Sequence, residues 1–209
     1  MFQNYIIEIS LLIFPVLVAV TFHELAHGYV AYLCGDPTAK LAGRLTLNPL
    51  KHLDPIGALV FILTRMIGWA KPVPINPMYF KNYSRDLFFV SLAGPLTNFL
   101  IAIISGFILK FLYTVSTSSP FIYYKILVPL GIIMKLTVQI NIALAFFNLI
   151  PVPPLDGSKI VMAILPDNLN KYYAYIEPFG FIIILILVFT NVLDRILIPI
   201  IQIFTSILT

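Results

Sequence analysis

Apolar residues run almost unbroken through several stretches of this chain, separated by joints where prolines, glycines and charges gather. The first stretch, Tyr5 to Cys34, predicts one long helix, since a hydrocarbon core of about 30 Å takes about 20 residues to cross. Pro15 predicts a bend in it, because proline removes an i to i−4 bond, and Gly35-Asp36-Pro37 ends it. Residues 38–54 alternate Leu41, Gly43, Leu45 and Leu47 with Ala42, Arg44 and Thr46, which predicts a short strand pair or edge segment at a membrane surface. Pro55 to Ile67 is apolar but spans only about 20 Å as a helix, so a half-membrane or re-entrant element is at least as expected as a crossing. Gly68 to Pro77, reading Gly-Trp-Ala-Lys-Pro-Val-Pro-Ile-Asn-Pro, is too rich in proline for a helix and too apolar for a solvent loop. An extended segment held at the interface, with Trp69 at headgroup depth, satisfies both facts.

Leu87 to Tyr113 predicts a clear span, with Gly94-Pro95 inside it and the small pair Ala102 and Gly106 one turn apart, which permits close helix contact. A Ser/Thr-rich turn ending at Pro120 leads to a further span, Ile126 to Ile150. Its Lys135, Gln139, Asn141 and Asn148 are expected to face the bundle or a wet cavity, since such groups are costly toward lipid. Pro151 to Lys159 is broken and extended, Ile160 to Leu165 predicts a short helix, and Ala174 to Leu193 predicts the last span. Beyond Arg195 the pattern fits either an interfacial stretch or one leaning into the bundle. The expected fold is an all-α polytopic membrane protein: a helical bundle with short extended or re-entrant segments, forming one membrane-embedded domain over 1–209.

Composition agrees. The 209 residues are 60% hydrophobic and 11% charged, with a mean hydropathy of +0.98, far from the near-half apolar, quarter-charged soluble domain. The first run is too long for a signal peptide and lacks a small-residue cleavage site, so it is expected to be retained. The net charge of +4 resides in joints between apolar stretches, where it reads as an orientation signal and not as a nucleic-acid surface. If the basic joint after the first helix is cytoplasmic and 55–67 does not cross, the histidine helix and the Asp156 joint both reach the cytoplasmic half. The single Cys34 excludes an internal disulfide and reads as a helix-end packing residue rather than a nucleophile.

Within the first helix, Phe22-His23-Glu24-Leu25-Ala26-His27 places two imidazoles on one face at i and i+4, with a carboxylate beside them. Two histidines, one carboxylate and an open position form the hydrolytic zinc arrangement: the ion lowers the pKa of a water toward 7 while Glu24 handles the proton. A hydrogen-bonded packing network or a proton path is the plainer reading of the same residues. For the third ligand, Asp36, Asp54, Asp86 and Asp156 are all candidates. The first three sit in charged joints where an exposed carboxylate needs no explanation, whereas Asp156 follows a rigid Pro-Pro-Leu turn beside a polar-lined span.

Three stretches, Phe22 to His27, Ser91 to Asn98 (Ser-Leu-Ala-Gly-Pro-Leu-Thr-Asn) and Asn148 to Gly157 (Asn-Leu-Ile-Pro-Val-Pro-Pro-Leu-Asp-Gly), together resemble the site-2 proteases, intramembrane zinc metalloproteases, in the small form lacking a PDZ domain. The resemblance implies one Zn2+ per chain on His23, His27 and Asp156, with Glu24 as general base. It also implies transmembrane helices as substrates, in a multi-pass protein of a prokaryotic cell membrane. Asn148 is implied to hold the substrate backbone or the oxyanion, and the segment containing Pro72 and Val73 to pair with an unwound substrate. Asn98 fits either a role behind a ligand or a helix–helix bond. Asn141 reads as structural, and His52 as a surface or capping residue rather than a gate. A proton- or ion-coupled transporter is the competing class, but it predicts related halves and no internal repeat is seen. A silent scaffold binding unfolded helices is a third. Substrate identity, cleavage position, gating, oligomeric state and the number of crossings are not written in the sequence.

Overall fold

In the computed structural model, which describes residues 2–64 and 69–209, the apolar runs become helices and the proline joints become turns. In chain order these are α1 (Phe2–Leu33), α2 (Thr38–Leu41), α3 (Pro55–Thr64), α4 (Tyr83–Thr114), α5 (Pro120–Ile122), α6 (Val128–Asn148), α7 (Asp156–Ile164), α8 (Asp167–Ile176), α9 (Gly180–Phe189) and α10 (Val192–Leu208). Three described stretches are long and apolar enough to cross a membrane: Ser10–Leu33, Tyr83–Thr114 and Pro120–Asn148. The bent pair Glu177–Phe189 and Val192–Leu208 makes a fourth if taken as one span. α5 passes into α6 through a π-helical turn at Tyr123–Leu127; Pro129 has no N–H for the Lys125 carbonyl four residues back, and the wider turn absorbs the mismatch.

α4 packs against α1, α6 and α7, and α1 against α6, so the bundle is organised around α4. Its start is fixed by a reciprocal cap. The Asn82 side chain accepts the Arg85 N–H at 3.0 Å, and Asp86 reaches back to the Asn82 N–H at 2.9 Å. Ala102 of α4 is fully buried against Val138 and Ile142 of α6, and Ile201, Phe204 and Leu208 of α10 close over them. Gly106 lies against the Leu208 backbone, where an added Cβ would stand 2.7 Å from the carbonyl oxygen. The small-residue pair therefore receives α10, which leans into the bundle.

Four sequence expectations are corrected. Residues 38–54 form no strand pair: Asp36 accepts the Thr38 N–H at 2.9 Å and starts the single-turn α2, and Asn48 caps a 3-10 turn at Pro49–Lys51. Among the described residues the one extended pairing is an antiparallel bridge between Leu53 and Ala70. The last span is not continuous, because Asn191 takes a left-handed conformation (φ 56°) and α9 and α10 meet at a 72° bend. Asp36 and Asp86 are buried rather than exposed: Asp36 accepts the Thr38 and Asn76 N–H groups, and Asp86 accepts the Asn82 N–H on one oxygen and pairs with the Arg85 guanidinium on the other. Lys135 is exposed, because the inward stripe of α6 runs through Met134, Val138, Asn141 and Ala145 and leaves it outside.

α3, capped by Asp54, is 10 residues long, about 15 Å at 1.5 Å per residue, and too short for a crossing by itself. Residues 65–67 of that predicted stretch, and Gly68, lie outside the described residues.

Candidate metal centre

Near the middle of the bundle, α1 presents His23 and His27 on one face, one turn apart, and both are 6% exposed. The His27 Nδ1 lies 2.6 Å from the Val90 carbonyl of α4, which can only accept, so Nδ1 carries the proton and Nε2 keeps its lone pair. The same logic fixes His23. Asn98 of α4 donates Nδ2 to the Ala19 carbonyl at 3.1 Å and to Asn141 Oδ1 at 2.8 Å, which turns its Oδ1 toward His23 Nδ1 at 2.6 Å. His23 Nε2 is then also a lone-pair donor. The Asn98 amide is fully buried and spent on these partners, and Asn141 in turn donates to the Thr137 carbonyl at 2.8 Å.

Asp156 arrives from the other end of the chain. The turn after α6 is held by Val152 N–H to the Ile150 carbonyl at 2.8 Å and Leu155 N–H to the Val152 carbonyl at 3.0 Å, with Pro153-Pro154 cis between them. Gly157 seats the start of α7 against the end of α6, where a Cβ would stand 2.3 Å from the Leu149 carbonyl oxygen. Asp156, in the first turn of α7, suits the positive end of that helix. Its Oδ2 stands 3.0 Å from His27 Nε2 and 3.2 Å from His23 Nε2, and the two nitrogens are 3.0 Å apart. Lys159, half exposed, lies 3.7 Å from the other Asp156 oxygen.

Two lone-pair nitrogens and a carboxylate oxygen facing one another at these distances repel unless a cation sits among them. Two imidazoles and a carboxylate are the donor set a hydrolytic zinc takes, with the remaining position open. The residues fit the ion, and among the described residues they are the one His/Cys/Asp/Glu group close enough to share one.

Residues 11–130 and 126–189 match the family described as Peptidase family M50. The chain belongs to this peptidase family. That is the family of the site-2 proteases, as the three motif stretches implied, and it does not favour the transporter reading. Among similar proteins, "Putative zinc metalloprotease YwhC" of Bacillus subtilis is 39% identical over 188 residues, covering 90% of this chain and 84% of its own. "Putative zinc metalloprotease Rip2" of Mycolicibacterium smegmatis is 26% identical over 199 residues, 92% of this chain and 71% of its own. "Zinc metalloprotease MJ0392" of Methanocaldococcus jannaschii is 28% identical over 160 residues, of which this chain spans about a third of the relative (34%). No solved structure matches the chain.

In this M50 peptidase the remaining candidates fall as follows. Glu24 is not part of the three-atom cluster; its Oε2 accepts the Val73 N–H at 2.7 Å, which ties the extended segment to the histidine helix. Pro72 is exposed and Val73 buried. The Asn148 Nδ2 donates to the Leu144 carbonyl of its own helix at 3.0 Å. His52 is fully buried, with Nε2 at 2.8 Å from the Thr46 carbonyl, so it braces a turn instead of lying at the surface. Cys34 has its thiol pushed up by burial and by nearby Asp86, which fits an inert packing role.

Sequence reasoning missed Gly94 and the Val90 carbonyl. A Cβ on Gly94 would stand 2.3 Å from His27 Nε2 and 2.6 Å from His23 Cε1, so only glycine lets α4 pass beneath both imidazoles. Its signal was present as a glycine inside a span and within the Ser91–Asn98 stretch, but no role was given to it there.

Proposed function

We propose that this chain is a membrane-embedded zinc endopeptidase cutting transmembrane helices within or near the membrane, with one zinc per chain on His23, His27 and Asp156. The observation that carries the reading is the meeting of three acceptor atoms within 3.2 Å, two from α1 and one from α7, in the donor set that a zinc ion takes. The zinc in the relatives' names agrees with it.

A zinc ion held there supplies a Lewis acid for the scissile carbonyl and brings the pKa of a water toward 7. The chain's own residues do the rest. Glu24, its Oε2 steadied by the Val73 N–H, takes the proton of the attacking water on Oε1 and returns it to the leaving nitrogen. Asn98 and the Val90 carbonyl hold the two imidazoles in the tautomer that keeps both Nε2 lone pairs inward. Asn148 keeps one amide hydrogen on Leu144 and has the second available for a developing oxyanion.

The extended segment suits a substrate strand of one polarity. Lys71 donates its N–H to the His52 carbonyl at 2.9 Å and Val73 donates to Glu24, so this edge is satisfied internally. Pro72 and Pro74, which alternate to the other edge, have no N–H. An unwound substrate added there would donate its own N–H groups and receive none, a pairing that also discourages the segment from joining a second copy of itself. With the basic joint after α1 cytoplasmic and 55–67 not crossing, parity of the joints supports a pocket in the cytoplasmic half of a multi-pass protein.

The test is Glu24→Gln. The variant keeps its zinc and loses cleavage of a co-expressed transmembrane substrate by at least about 100-fold, the scale of general acid–base catalysis. Cleavage at the wild-type rate would contradict the role given to Glu24.

A further inference from the structure

A cavity of about 550 Å³ opens where the joint after α1 meets the start of α3 and the extended segment, away from the three-acceptor cluster. Its charged lining is Arg44, Lys51, Lys71 and Asp54. Arg44 is the informative member. It is only 7% exposed, its Nη2 donates to the Lys71 carbonyl at 2.7 Å, and its Nε has no hydrogen-bond partner. Among the described residues no carboxylate pairs with it. A buried guanidinium without a counter-charge is costly, and buried charges are ordinarily paired.

The cavity's own carboxylate does not supply the missing charge. Asp54 Oδ1 accepts the N–H groups of Ile56 and Gly57 at 3.0 and 2.8 Å and serves as the cap of α3. With Lys51 and Lys71 exposed at the rim, three cations face a single, already engaged anion. The surroundings are greasy: Leu50, which lines the same cavity, is 74% exposed, and Leu41, the neighbour of the lining Ala42, is 82% exposed.

We propose that this cavity binds the phosphate group of an anionic phospholipid. The guanidinium and the two ammonium groups meet the headgroup, as planar and point cations do with phosphate. The exposed leucines lie along the hydrocarbon beside it, which free phosphate could not use. The site also adjoins the tether to the base: Arg44 holds the Lys71 carbonyl, and two residues on, Val73 holds Glu24. A headgroup that neutralises Arg44 therefore steadies the segment from which the Glu24 contact is made.

Native mass spectrometry of the delipidated full-length protein in detergent tests this, with phosphatidylglycerol, phosphatidylcholine and inorganic phosphate as probes. The expected result is one phosphatidylglycerol held at least tenfold more tightly than phosphatidylcholine. Lys51→Glu, an exposed change that leaves the fold alone, should weaken it at least fivefold, and Arg44→Gln should weaken it further. Equal binding of the two lipids, or phosphatidylglycerol binding unchanged in Lys51→Glu, overturns the proposal. Occupancy by inorganic phosphate with no lipid preference assigns the cations to a free anion and overturns the lipid source. The readout is binding alone, so its failure would leave the peptidase reading untouched.

Discussion

His23 and His27 face the same requirement, that Nδ1 be held by a pure acceptor so that Nε2 stays unprotonated, and they meet it differently. His27 uses the Val90 main-chain carbonyl, which no substitution can remove, whereas His23 depends on the Asn98 side chain. Asn98→Ala therefore releases one imidazole while leaving both histidines present, and zinc affinity should fall about 10–100-fold in chelator competition, with helicity by circular dichroism unchanged. Unaltered affinity would show that His23 needs no such partner. The spacing of His23, Glu24 and His27 was legible in the sequence because helical geometry alone puts i and i+4 together. Asp156 was only one of four carboxylates by the residues, because burial is not visible in a string: Asp36 and Asp86 proved as buried as Asp156 but are engaged by nearby N–H groups and, for Asp86, by the Arg85 guanidinium. Gly94 had no legible role, since what it avoids is a collision with side chains more than sixty positions away.

Among the elements, those set by long apolar runs were the most readable, and those set by single capping residues the least. Alternation over 38–54 resembled a strand, yet Asp36 and Asn48 offered side-chain oxygens to nearby N–H groups and turned the backbone instead. The break between α9 and α10 falls at Asn191, which adopts a left-handed conformation between Thr190 and the Asp194-Arg195 pair. The fit of α10 was foreshadowed by Ala102 and Gly106, although their partner was not. Gly106→Val puts a branched side chain where even a Cβ lies 2.7 Å from the Leu208 carbonyl oxygen. The cost should be about 1–3 kcal/mol of overpacking, read as a lower thermal midpoint in detergent. Because Gly106 lies about 18 Å along α4 from Gly94, zinc content should not change; an unchanged midpoint would mean that α10 is not seated on α4.

At the scale of the whole molecule, two helix systems far apart in sequence are closed on each other by α4, which contributes Val90, Gly94 and Asn98 beneath the imidazoles and also packs against α7. Membrane character followed from composition, but how α7 would meet α1 did not, because it depends on the proline turn and on the seat that Gly157 makes against α6. The metal centre exists only if that closure holds. Zinc content per chain, measured on wild type and Asp156→Ala purified in the same detergent, tests it most directly. The predicted result is about one zinc in the wild type and a clear loss in the variant at unchanged helicity. Full zinc in a properly folded Asp156→Ala protein would contradict the account.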